Sequence, residues 1–200
     1  MPLLLASNNQ HKLRELRTLL GQAGFTVVSP AAIGLKLDVA ETGETFARNA
    51  ALKAGAFADA SGLLTLGDDS GLQVEALNGE PGIYSARYAG PNASDDQRVA
   101  LLLDRLGDRD DRLARFVCSI AIARPGEVVH IVEGTVEGEI AREPAGHGGF
   151  GYDPIFIYPA LGKTFAQLSE GEKAAVSHRG RAIRDAAEYL KTLSHSSTMH

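Results

Sequence analysis

At 200 residues, with 44% hydrophobic and 22% charged side chains, the chain has the size and balance of one ordinary soluble α/β domain, with room for two lobes. Its formal net charge of −5 excludes broad electrostatic binding to nucleic acid, which needs a basic face, but a few local cations can still hold an anionic small molecule. One cysteine, Cys118, leaves no intrachain disulfide and argues against structural zinc, and the absence of a basic leader or a long apolar run argues against a signal peptide or membrane span. The expected location is therefore the cytoplasm.

Leu3 to Ala6 reads as a short buried strand, Ser7-Asn8-Asn9 as a polar turn, and Leu13, Leu16, Leu19 and Leu20 as the apolar face of a following helix. A strand, turn and helix in that order direct free N–H groups at whatever lies above the strand, which suits phosphate, and Lys12 adds a point charge. The same residues also serve as an ordinary N-cap, Ser7 or Asn8, with a solvated lysine behind it. Phe25 to Val28 suggests a second strand and Pro30 to Leu37 a connecting loop.

Thr45 to Ala60 reads as a long alanine-rich helix, on which Phe46, Ala50, Lys53 and Phe57 share one face, with Asn49 a turn before Lys53. A lysine on such a face either snorkels to solvent or brings its ammonium to the mouth of a cleft. Glu41 and Glu44 are candidates for first-turn carboxylates, and one of them is a candidate metal ligand.

The most informative stretch is Leu66 to Gly90. An apolar run, Leu63 to Leu66, leads into Asp68, Asp69 and Ser70 between Gly67 and Gly71. Adjacent carboxylates at the end of a buried strand repel each other and are costly to desolvate unless a cation or donors compensate. Mg²⁺ compensates both, since it binds through one or two carboxylates together with substrate phosphates. A polar turn built from Asp, Ser and Gly explains the same six residues without a metal. Asn78 to Gly82 is a cluster of turn formers, and Ser94 to Gln97 has the form of a capping box opening a helix with Val99, Leu102, Leu103 and Leu106 on one face.

Arg115 to Ala123 and Val128 to Val136 read as a hairpin of two strands. Ala145 to Asp153, AGHGGFGYD, is dense in glycine, as a backbone that must turn tightly or approach another group requires, and its Phe150 and Tyr152 can offer a flat surface to a planar base. Lys173, His178, Arg179 and Arg181 then gather positive charge before a last helix carrying Ile183, Ala186, Ala187 and Leu190. A basic patch at a helix start opposes the helix dipole, a cost that an anionic ligand offsets. Residues 1–193 are expected to form a single domain and 194–200 a disordered tail.

Acids for a metal, separated cations for phosphates and aromatics for a base together match a nucleoside triphosphate with Mg²⁺. Five ordered motifs, SNNQHK, ETGETF with NAALKA, DDSGLQVEALNGEPGIYSARYAG, REPAGHGGFGYDPIF and EKAAVSHRG, resemble those of the inosine triphosphate pyrophosphatase family, the HAM1-like group that acts on non-canonical purine nucleotides. The resemblance covers Leu3 to Leu190. It implies an elongated mixed β-sheet flanked by helices, with two lobes and a central substrate cleft, and a homodimer to which Pro81 to Tyr88 could contribute. The implied activity is house-cleaning hydrolysis of ITP, dITP and XTP between the α- and β-phosphates, giving the monophosphate and pyrophosphate.

Carried over residue by residue, the resemblance makes Asp69 the catalytic base and a metal ligand. Ser7, Asn8, Asn9, Gln10, His11 and Lys12 would hold the triphosphate, Lys53 a further phosphate and Ser70 the substrate. Phe150, Gly151, Tyr152 and Asp153 would form the base pocket with Lys173, His178 and Arg179. The backbone amides near Phe150 to Asp153, His178 and Arg179 are the candidates for reading the purine edge. The family often has two acids before the Thr-Gly of the second motif, where this chain has Ala40-Glu41; Glu41, Glu44 or a water would then complete the metal shell, with Asp68 a further candidate. A nucleotide-binding regulatory module and a hydrolase of modified pyrimidine nucleotides are the competing readings.

Overall fold

The computed structural model describes residues 2–196. Seven strands, β1 (Leu3–Leu5), β2 (Val27–Val28), β3 (Thr65–Val74), β4 (Leu113–Arg124), β5 (Glu127–Ile140), β6 (Phe156–Tyr158) and β7 (Lys163–Thr164), form one sheet in the order β2-β1-β3-β4-β5-β6-β7. β1 runs parallel to β2, pairing Leu3 with Val27, and parallel to β3, pairing Leu5 with Leu66. β6 is antiparallel to both β5 and β7. The sheet is therefore mixed, and with its flanking helices the fold is α/β, as expected. The helices are α1 (Gln10–Gln22), α2 (Phe46–Ser61), α3 (Asp95–Leu106), α4 (Glu170–Val176) and α5 (His178–Ser196). Among the described residues no helix is long and apolar enough to cross a membrane.

The chain divides into two compact units. The first comprises the chain up to Asp69, Cys118–Gly134 and the chain from Arg179 onward, and the second comprises Ser70–Val117 and Thr135–His178. In the first unit, Leu13, Leu16 and Leu20 of α1 and Ile183, Ala186 and Leu190 of α5 close on Leu3, Leu5, Cys118 and Ile120. Fully burying one such leucine is worth about 1.5–3 kcal/mol. Cys118 is buried there, as a small hydrophobe. Helix α2 uses its alanines differently: Ala50, Ala54 and Ala58 meet Ala121 and Ala123 of β4, and small residues on both sides let the backbones come close. In the second unit, Phe116, Phe156 and Phe165 form an aromatic core with Leu102 and Leu106 of α3.

Local signals explain most boundaries. Thr45 caps α2 by accepting from the Arg48 N–H, Gly62 ends it in the left-handed region, and Ser94 and Gln97 complete a reciprocal capping box at α3. β4 and β5 are neighbours joined by Pro125-Gly126, the expected hairpin.

Several expectations require correction. Asp68, Asp69 and Ser70 are neither a turn nor a strand end, because β3 runs through them to Val74. The cap of α1 is Asn9, not Ser7 or Asn8. Glu41 and Glu44 precede α2 and are not in its first turn. Lys173 lies within α4, and α5 starts at His178, so the basic patch is split over two helices. Helix α5 extends through 194–196, the beginning of the expected tail; residues 197–200 lie outside the described residues.

Candidate active site

In the first unit, β3 delivers Asp68 and Asp69, only 1% and 5% exposed. Successive strand residues point to opposite faces, so the two carboxylates have different neighbours. Asp68 Oδ2 lies 3.0 Å from Lys12 Nζ, brought by the first turns of α1, and 3.7 Å from Arg179 Nε, brought by the start of α5. Arg179 also donates to Glu15 Oε2 at 2.5 Å, one turn along α1 from Lys12. Burial works to raise the pKa of Asp68, but Lys12, Arg179 and Lys53 outweigh it and hold the carboxyl at about 2. Arg179 is fully buried, and although burial alone would lower its pKa, Glu15, Cys118 and Asp68 hold it above the ordinary value.

Asp69 faces α2. Asn49 Nδ2 donates to Asp69 Oδ2 at 3.1 Å, and Lys53 Nζ is 3.6 Å from Asp69 Oδ1. The same ammonium donates to Glu41 Oε1 at 2.7 Å. Burial raises the pKa of Asp69, Lys53 and Lys12 oppose that, and Glu41 adds to it, with a net upward shift. Burial would lower the pKa of Lys53, but Asp68, Asp69 and Glu41 hold it above its usual value. The lysine therefore stays charged and engaged in carboxylate pairing; it does not snorkel. Neighbouring carboxyls with opposite shifts, one firmly ionised and one able to accept a proton, are the pattern on which acid–base assignments rest.

The Ser7-to-Lys12 segment adds less backbone donation than expected. Asn9 Oδ1 accepts the N–H groups of His11 and Lys12 at 3.0 and 3.2 Å, and Ser7 Oγ accepts from Asn9 N. Gln10 Nε2 donates to the Asn8 carbonyl. What the segment brings to the acids is the Lys12 ammonium.

As for a metal, Glu41 Oε1 and Asp69 Oδ1 both contact the Lys53 ammonium, at 2.7 and 3.6 Å. Among the described residues no group of three or more His, Cys, Asp or Glu gathers into a closed metal cage. A pair of carboxylates fits a hard cation whose remaining ligands come from water and phosphate. Asp68 faces Lys12 and Arg179 instead, and Glu44 is exposed.

In the second unit, the glycine loop is fastened from within. Lys173 Nζ donates to Asp153 Oδ2 at 2.6 Å and lies 4.9 Å from the Phe150 ring centroid. Asp153 Oδ2 also accepts the Phe150 N–H at 2.9 Å, and Asp95 Oδ2 accepts that of Gly151 at 2.6 Å. The Asp153 N–H turns back to the Phe150 carbonyl. These three amides, expected as readers of a purine edge, are thus occupied in shaping the loop. Tyr152 is buried and donates its hydroxyl to the Ser85 carbonyl at 2.9 Å, so its ring is core while Phe150 is only partly covered. Ser85 Oγ in turn accepts from Leu72 N of β3. His178 is buried, stacked on Phe116 with ring centroids 4.6 Å apart. Ser70 is partly exposed in β3.

The structure thus groups Lys12, Lys53, Asp68, Asp69, Glu41 and Arg179 in the first unit and Phe150, Asp153 and Lys173 in the second. Three residues with evident roles were not among the predicted site residues. Asn49 was legible as a neighbour of Lys53 by its four-residue offset, Asp95 was legible only as a capping acid, and Glu15 gave no signal.

A mixed sheet carrying buried acids among capped, cation-bearing helices is the build of an α/β protein that handles an anionic ligand. The chain belongs to the Ham1 family, whose model matches residues 3–189. A protein of Gloeobacter violaceus named dITP/XTP pyrophosphatase is 53% identical over 182 residues, covering 91% of this chain and 90% of the relative. One of the same name from Exiguobacterium sp. (strain ATCC BAA-1283 / AT1b) is 50% identical over 184 residues, covering 92% and 94%. The solved structure of a HAM1 protein from Coxiella burnetii superposes with a TM-score of 0.87 at 43% identity, covering 96% of this chain and 99% of that one.

Proposed function

We propose that this protein is a Mg²⁺-dependent pyrophosphatase of non-canonical purine nucleoside triphosphates, cleaving ITP, dITP and XTP between the α- and β-phosphates to the monophosphate and pyrophosphate. The observation that carries the reading is Asp69, a buried carboxylate held between the Asn49 amide and the Lys53 ammonium beside a second acid, Glu41. A module that only binds a triphosphate has no need of a base there. The names of the relatives support the substrate class.

On this reading Asp69 accepts the proton of the attacking water. Glu41 and Asp69 would hold Mg²⁺, which would supply charge neutralisation for the triphosphate and polarise its phosphorus. Lys12, Lys53 and Arg179 carry the charge that develops on the leaving pyrophosphate, with Asp68 fixing Lys12 and Arg179 from behind. Ser7 to His11 shape the turn that presents Lys12, and Ser70 contacts substrate. Phe150 stacks on the base, with Gly151, Tyr152, Asp153, Lys173 and His178 as its frame. A site that pairs a 6-oxo edge and leaves groups unpaired against adenine discriminates by orders of magnitude. A homodimer, drawn from the family resemblance, and a cytoplasmic location belong to the same proposal.

The test is pyrophosphate release from ITP, XTP, ATP, GTP and dUTP, with and without Mg²⁺, by the natural protein and by Asp69→Asn. Metal-dependent release from ITP and XTP, weak on ATP and GTP and lost in Asp69→Asn, is expected. Binding of ITP without release would make the protein a sensor, and preference for dUTP would overturn the account of the base.

A further inference from the structure

Asn49 is 0% exposed, and both ends of its amide are engaged. Its Oδ1 accepts the Gly43 N–H at 2.8 Å, and its Nδ2 donates to Asp69 Oδ2 at 3.1 Å. The amide orientation follows from the partners, since a carboxylate needs the donor and a backbone N–H the acceptor. A methyl on Gly43 would lie 2.7 Å from Oδ1, so the segment carrying Glu41 is pressed directly on this side chain. One turn along α2, Lys53 meets Asp69 Oδ1 and Glu41 Oε1. The two oxygens of Asp69 are thereby distinguished: Oδ2 is held by a neutral amide, while Oδ1 faces the cation.

From this geometry we infer that Asn49 is a positioning residue: it locks the Asp69 carboxylate in one orientation and, through Gly43, sets the spacing of Glu41 from Asp69, without touching substrate. A buried carboxylate can rotate about its last bond, and placing the base in the wrong rotamer costs the alignment on which the rate depends. The inference rests on the proposed role of Asp69 as base, and its test separates the two.

Asn49→Ala removes both hydrogen bonds. Well below its melting temperature it is expected to lose kcat on ITP by on the order of 10- to 100-fold with KM nearly unchanged, and to need more Mg²⁺ for half-activation. Asn49→Asp keeps the acceptor for Gly43 but sets a second carboxylate against Asp69, so its Tm falls. The exchanged pair Asn49→Asp/Asp69→Asn restores donor and acceptor in reversed order and is expected to recover Tm while remaining inactive. An Asn49→Ala enzyme with natural kcat would reduce Asn49 to a structural residue, and a raised KM at natural kcat would make it a substrate contact; either overturns the inference. Should the natural protein release no pyrophosphate, the functional reading fails, and failure of the exchanged pair to recover Tm would separately refute the contact.

Discussion

Gly67 of β3 lies directly beneath Ala50 of α2: a methyl group on Gly67 would stand 2.6 Å from the Ala50 carbonyl oxygen and 2.8 Å from the Ala54 nitrogen. Both are backbone atoms, so no side chain can move aside. The contact fixes the height of α2 over the strand two residues before Asp69, and Asn49 and Lys53 ride on that helix. Gly67→Ala is therefore expected to cost roughly 1–3 kcal/mol by overpacking and to lower activity beyond the loss of folded protein, because α2 lifts away with Asn49 and Lys53. Denaturant melts and kcat measured together check this; natural activity in a folded Gly67→Ala protein would contradict it.

Asp68 and Asp69 have opposite linkage to pH. The folded pKa of Asp68 is depressed from 3.8 to about 2, so its stabilising contribution is present above about 3.8 and is lost as pH falls through about 2, roughly 2 kcal/mol in all. Asp69 has a raised folded pKa, so the native state takes up its proton first and gains stability as pH falls through that value. At pH 7 Asp68→Asn is expected to be less stable than the natural protein, with the gap closing toward pH 2, whereas Asp69→Asn is more stable though inactive. Urea denaturation between pH 2 and 7 gives the comparison, and an Asp69→Asn less stable at neutral pH would disprove the assignment.

The contrast between these two residues marks how far the sequence could be read. Alanine and leucine periodicity, Thr45, Ser94-Gln97 and Pro125-Gly126 announce α1, α2, α3 and the hairpin, because the interactions that set those elements are local. The acids of β3 looked like a turn because Gly67 and Gly71 flank them, yet Gly67 serves a close helix contact that no local pattern reveals. Composition likewise offered Phe150 and Tyr152 as equivalent, and the Ser85 carbonyl, 67 positions away, is what holds the Tyr152 ring in the core while Phe150 stays partly covered. Arg179 was visible as a cation, but its partner Glu15 is 164 positions distant.

Cys118 provides a probe of the first unit. Burial pushes its thiol up to about 12, opposed by Arg179 and Lys12, so almost no thiolate exists near neutrality. The native protein is expected to leave a disulfide-exchange reagent unconsumed at pH 8, and to consume one equivalent once unfolded. The rate should follow global opening, since the residue sits in the core with Leu3, Leu5 and Ile120. Rapid labelling of native protein would show that this core opens locally.

The last prediction concerns the glycine loop. Gly149 has φ +71°, and a methyl there would fall 2.0 Å from Asp153 Oδ2, the oxygen that also receives Lys173 and the Phe150 N–H. Gly149→Ala therefore imposes a backbone strain of about 1–3 kcal/mol and pushes Asp153 off both donors. Because Asp153 holds the loop that presents Phe150, the variant is expected to raise KM for ITP more than it lowers kcat, while Asp69 in the first unit keeps its partners. Asp153→Asn, which retains an acceptor but loses the charge opposite Lys173, should give a smaller KM increase. If Gly149→Ala instead lowered kcat at unchanged KM, the loop would serve the chemical step and the assignment of Phe150 to the base would fail.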